Sequence, residues 1–129
     1  MIPKFRAWIK DYQVMKSVEF LAFNEKGVAE VFTNPIDGEP EDFRHTHSPE
    51  QAILMQSTGK KDLNGKEIFE GDILENERTE FLDHMFRNRK TIKDRWAVST
   101  VEEFNRLWRA CLLSSCRIIG NIYENPELL

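Results

Sequence analysis

The dipeptide Asn64-Gly65 lies inside the most strongly patterned stretch of the chain, Leu54 to Ile73. Both central residues of a type I′ turn need positive φ, which Asn and Gly tolerate, so the pair predicts a tight β-hairpin. Gly71-Asp72 turns the chain again before Ile73-Leu74, with Asp accepting backbone donors that the turn would otherwise leave unpaired. A centre built from successive tight turns commits the chain to antiparallel β-structure. The N-terminal part agrees. Pro3 to Thr33 is rich in β-branched and aromatic residues and is broken by Lys10-Asp11-Tyr12-Gln13 and Asn24-Glu25-Lys26-Gly27, which predicts a three-stranded meander. Phe5, Ala7 and Ile9 share one face of the first strand, and Arg6 and Trp8 the other. The second strand runs from about Met15 to Phe23 and the third from Val28 to Phe32.

Turn composition governs Asn34 to Asp42, an acidic stretch with two prolines and a glycine that is expected to form a surface loop. Ser48-Pro49-Glu50-Gln51 reads as a capped helical start of a single turn. Phe81, Leu82, Met85 and Phe86 recur at i, i+1, i+4 and i+5 in a charged segment, which predicts a helix from about Glu77 to Arg89. Thr100 and Glu103 form a capping box ahead of Val101, Phe104, Leu107, Trp108, Cys111 and Leu112, so a second helix is expected to end near Leu113. Cys116 to Tyr123 returns to strand character, interrupted by Gly120 and ended by Asn125-Pro126.

The 129 residues are expected to form a single domain. At 40% hydrophobic, with nine Phe, three Trp and two Tyr, they can bury a core without staples. A net charge of −4 argues against a generally basic nucleic-acid coat. No apolar run approaches the roughly 20 residues of a membrane helix, and the start lacks a signal-peptide core. The expected location is therefore the cytoplasm, with Cys111 and Cys116 as packed free thiols.

Three blocks then point to relatives. Phe5-Arg6-Ala7-Trp8, the stretch from Thr58-Gly59 through Asn64-Gly65-Lys66-Glu67-Ile68-Phe69-Glu70-Gly71-Asp72-Ile73, and Ile119-Gly120-Asn121-Ile122-Tyr123-Glu124-Asn125-Pro126-Glu127-Leu128-Leu129 resemble, in this order, the YopX family of phage and prophage proteins. The resemblance implies a small β-barrel with helical and extended segments, an origin in a phage or integrated prophage, and no established biochemical activity. Its structural positions here are Asn64, Gly65, Gly71, Asp72, Gly120 and Asn121. The chain departs from the pattern at Ile9, where an Asp is usual, and at Ser57, where an aromatic is usual. Beyond Asp72 the family pattern continues as barrel strands, whereas Leu74 to Leu113 reads largely as helix.

Catalytic and metal chemistry find little purchase. His45-Thr46-His47 with Cys111 and Cys116 lacks the ligand spacing of a zinc site. Asp62-x-Asn64-Gly65 places its glycine at the fourth position of a would-be calcium loop, not the sixth. Glu67, Glu70 and Asp72 read as a solvated strand face rather than an acid–base pair, and Ser114-Ser115 lacks a nucleophile elbow. No cofactor is implied. His84 to Trp96 carries five cations, Arg87, Arg89, Lys90, Lys93 and Arg95, against Asp94 alone. This stretch could meet phosphates, with Trp96 stacking on a base, or could be the solvated cationic end of a helix.

The expected fold is α+β: a small, bent antiparallel β-barrel with an N-terminal meander and a helical insertion over about 77–113. The expected function is that of a non-enzymatic accessory protein that binds a phage or host protein, with nucleic-acid binding through residues 87–95 as the alternative and no membrane partner.

Overall fold

The computed structural model describes residues 4–33, 45–109 and 116–129. The chain forms two compact units, Met1–Ser57 and Thr58–Leu129. In the first, β1 (Phe5–Ile9), β2 (Val14–Asn24) and β3 (Gly27–Thr33) form the expected meander, followed by the short β4 (Thr46–His47) and by β5 (Ala52–Lys61), which continues into the second unit. The strands are antiparallel in the order β4-β3-β2-β1-β5. Ala7 and Ile9 share a face and bury with Val31 and Ala52, with Tyr12, Val14, Val18, Leu21, Val28 and Leu54 packed around them. Trp8, on the opposite face of β1, is buried as well. Ser48 starts a single turn in which its carbonyl accepts the amides of Gln51 and Ala52, and β5 begins at once.

In the second unit β6 (Glu67–Phe69) lies beside β5. There the Thr58 hydroxyl donates to the Ile68 carbonyl at 2.7 Å. A three-stranded antiparallel sheet follows, ordered β8-β7-β9, from β7 (Asp72–Phe81), β8 (Arg89–Ala97) and β9 (Cys116–Asn121). Helix α1 (Val101–Arg109) covers the core with Phe104, which packs with Ile68, Leu74, Val98 and Cys116 and is flanked by Trp96, Leu107, Trp108 and Ile118. Half of the expected capping box is present: the Thr100 hydroxyl oxygen accepts the Glu103 amide at 3.1 Å, while the Glu103 carboxylate turns to Arg106 at 2.6 Å instead of to the Thr100 amide. Glu70 adds a carboxylate that accepts the Val101 amide at 3.1 Å, where an anion also suits the helix dipole. Among the described residues no helix is long and apolar enough to cross a membrane.

Two expectations are corrected. No helix spans 77–89. The segment is an antiparallel hairpin, β7 to β8, in register from Ile73 opposite Ala97 to Phe81 opposite Arg89, so among the described residues of the insertion strand comes first and helix spans Val101–Arg109. The stripe of Phe81, Leu82, Met85 and Phe86 follows from a turn that gathers neighbours in sequence, a spacing that a helix face shares. The α+β class holds, but the strands form open sheets, β8 and β9 being edges of theirs, and not a closed barrel. The expected loop at 34–42, Cys111, Leu112 and the end of the helix near Leu113 lie outside the described residues.

Candidate functional site

The basic stretch lies on β8 and the turn before it. Its cations face the acidic residues of β7 across the hairpin. Arg95 sits opposite Glu75 and Lys93 opposite Glu77, with Arg95 Nε to Glu75 Oε2 at 2.8 Å and Lys93 Nζ to Glu77 Oε1 at 3.6 Å. Arg78 bridges back to Asp94 at 3.1 Å. Over residues 72–97, Asp72, Glu75, Glu77, Glu80, Asp83 and Asp94 match Arg78, Arg87, Arg89, Lys90, Lys93 and Arg95 charge for charge. Two of the five cations of the linear run, Lys93 and Arg95, are therefore engaged by the partner strand. Trp96 lies opposite Leu74 and packs against the core, not outward as a stacking platform.

Glu75 anchors the base of the hairpin. Its side chain is 2% exposed, shielded by two guanidiniums, with Arg117 of β9 donating at 2.5 Å on the side away from Arg95. The Arg117 bond first, and the Arg95 bond second, hold the Glu75 carboxyl below the ordinary range despite its desolvation. One carboxylate thus cross-links all three strands, beside a cleft of about 120 Å³ lined by Leu63, Glu75, Glu77 and Arg117.

The far end of the hairpin is apolar. Phe81, Leu82, Met85 and Phe86 are 48–66% exposed, with the Phe81 and Phe86 rings edge to face at 4.9 Å. Asp83 builds this tip: Oδ1 accepts the amides of Met85 and Arg87, each at 3.1 Å, and Oδ2 accepts Asn88 Nδ2 at 2.9 Å. The Leu82 amide closes the turn on the Asn88 carbonyl at 2.8 Å. Phe86 sits at φ +58°, a left-handed conformation that costs an aromatic residue on the order of 1 kcal/mol. Phe86 thus stays exposed within a turn closed by these hydrogen bonds. Among the described residues Arg87, Arg89 and Lys90, which flank it, form no ion pair.

The six structural positions converge elsewhere in the second unit. Asn64-Gly65 does form a hairpin loop, but not of type I′, because Gly65 has φ +79° while Asn64 is not left-handed. Gly65 N donates to the Asp62 carbonyl and Asp62 N to the Lys66 carbonyl, which describes a type I turn closed by a glycine bulge. The Asp62 carboxylate decides between the two turns. Its Oδ1 accepts the amides of Asn64 and Lys66 and its Oδ2 that of Ile118, all at 2.9 Å. In the β7–β9 ladder Asp72 lies opposite Asn121 and Ile73 opposite Gly120, and the Gly71 carbonyl accepts the Ile122 amide at 2.9 Å. Gly71 has φ +86°, and Asp72 Oδ2 accepts the Phe69 amide at 2.8 Å. A Cβ at Gly120 would fall 2.6 Å from Asn125 Oδ1, the atom that accepts the Asn121 amide. Asn121 Oδ1 in turn accepts the amides of Tyr123 and Glu124.

A sequence model described as YopX protein matches residues 4–129. The chain belongs to the YopX family. The crystal structure of protein EF1440 from Enterococcus faecalis is similar to it, with 31% identity over 100% of this chain and 99% of that one and a TM-score of 0.59. No curated protein matches the chain. In this YopX fold the glycines and Asx residues of the family blocks shape turns and tie them to β9. Glu70 caps α1 and Asp72 holds the turn before β7, so these two carboxylates serve backbone donors. Cys116 is a free thiol in the core whose ionisation is pushed up by burial first and by Asp62 beside it. The apolar tip escaped sequence reasoning. Its linear signal is the alternation of acidic residues at 75, 77 and 80 with cations at 90, 93 and 95, which come opposite one another only when the chain folds back.

Proposed function

We propose that this YopX protein is a non-catalytic accessory module, encoded by a phage or prophage and acting in the bacterial cytoplasm, that docks on another protein through the tip of the β7–β8 hairpin. The observation that supports this reading is the exposed quartet Phe81, Leu82, Met85 and Phe86 on a turn that Asp83 holds rigid. Clustered apolar side chains on a soluble surface mark interaction sites, whereas isolated ones do not. Rigid display lowers the ordering cost of association. The nucleic-acid alternative is weaker because Glu75 and Glu77 engage Arg95 and Lys93, and Trp96 faces the core. Affinity capture from infected or lysogenic cells, with and without nuclease, tests the reading. A protein partner retained through nuclease and lost with Leu82→Ser/Phe86→Ser supports it, and a partner retained by that variant refutes it.

A further inference from the structure

The chemistry of the tip defines what it fits, on the footing that the tip is the docking element. We infer that its partner is a protein with a concave apolar pocket rimmed by carboxylates. Three observations select this occupant. First, the tip is small: two Phe side chains of roughly 150–250 Å² each, with Leu82 and Met85, all about half exposed, offer on the order of 400 Å². A stable interface needs about 800 Å² per partner, so two tips meeting face to face fall short, while a pocket that encloses the knob also covers the flanking Arg87, Arg89 and Lys90 and the turn backbone. Second, Arg87, Arg89 and Lys90 stand behind the apolar quartet without ion pairs among the described residues, whereas Asp83 is engaged inside the turn. A second copy would set like charges against each other; an acidic rim would meet them. Third, the chain carries a net charge of −4. At physiological ionic strength an exposed charge acts within a Debye length of about 8 Å, so the tip cations, and not this net charge, set the sign of the rim that the tip meets.

The edge-to-face pair of Phe81 and Phe86 forms the wedge of the knob, and Leu82 and Met85 widen it. Aromatic anchors seated in a desolvated pocket with cations at the rim match the make-up of binding hot spots.

The test places p-benzoylphenylalanine at position 82, 85 or 86 of the full chain and irradiates cells of the source organism. The expected result is a protein adduct whose cross-linked peptide maps to an apolar pocket beside Asp or Glu. Its yield should fall at least about tenfold on replacing an anchor, Phe81→Ser, as for a hot-spot residue, and fall with Arg87→Glu/Arg89→Glu/Lys90→Glu. Circular dichroism of each variant confirms that the exposed substitutions leave the fold intact. A protein adduct indifferent to charge reversal, or mapped away from acidic residues, overturns the acidic pocket while leaving the interaction module standing. Adducts to lipid, nucleic acid or a second copy overturn the inference, and no adduct at any of the three positions overturns both it and the docking role of the tip.

Discussion

Asp62 Oδ2 accepts the Ile118 amide hydrogen at 2.9 Å across 56 residues of sequence, and so ties the β5–β6 turn to β9. Burial pushes the Asp62 carboxyl up. The amides of Ile118, Lys66 and Asn64, helped by the Lys66 charge, outweigh this and bring it below the ordinary value. A carboxyl depressed in the folded state contributes stability that is complete above its unfolded pKa of about 3.9 and lost as pH falls through the folded value. Asp62→Ala should therefore cost about 1.5–3 kcal/mol at pH 7, the range for hydrogen bonds to a charged group. Urea midpoints should show the difference shrinking below pH 4. An equal difference at pH 2 and pH 7 would contradict the latch.

The same loop separates two neighbouring residues by backbone conformation. Gly65→Ala should destabilise by about 1 kcal/mol through the cost of positive φ alone, since nothing lies within 4 Å of its would-be Cβ. Asn64→Ala should cost less, because Asn64 is not left-handed. Thermal melts of both variants decide. Equal losses would restore a type I′ turn.

Glu75→Gln keeps the shape of the strand-linking carboxylate and removes its charge from between Arg95 and Arg117. The melting temperature should drop at pH 7. Because the folded carboxyl lies below its unfolded value of about 4.3, wild type should lose this advantage as pH falls through the folded value. Part of it should vanish in high salt, as both guanidiniums are nearly half exposed. A salt- and pH-independent difference would point to packing instead.

Thr100→Ala should cost about 0.5–2 kcal/mol by removing the oxygen that accepts the Glu103 amide. Thr100→Ser should recover most of this, measured by chemical denaturation. The Glu70 bond to Val101 leaves the helix start partly capped, which favours the lower half of the range.

The hairpin's charge balance predicts weak nucleic-acid binding. Single-stranded and duplex oligonucleotides should bind no tighter than about 10⁻⁴ M at physiological salt, the weak end of non-specific association. Submicromolar binding that falls steeply with salt and vanishes in Arg87→Glu/Arg89→Glu would overturn the assignment of these cations.

The sequence by itself determined what short-range chemistry controls. The meander follows from alternation in Phe5–Ile9 and from its turn residues, the start of α1 from Thr100 and Glu103, and the turns at Gly65 and Gly71 from a need for positive φ that glycine meets. Family membership was legible for the same reason, since the recurring residues occupy these local turns. Tertiary structure decided what depends on partners far along the chain. The Asn64-Gly65 turn is tied to β9 by Asp62 reaching Ile118, a bond that no local window contains. The fate of 77–95 was set by the pairing of β7 with β8, across which Glu75 and Glu77 meet Arg95 and Lys93, so that residues spaced like a helix face became two strands and an exposed turn. Phe86 at φ +58° carries no glycine or asparagine to announce it. The bonds of Asp83 to the Met85 and Arg87 amides and to Asn88 surround it, in a turn whose ends are fixed by the β7–β8 pairing.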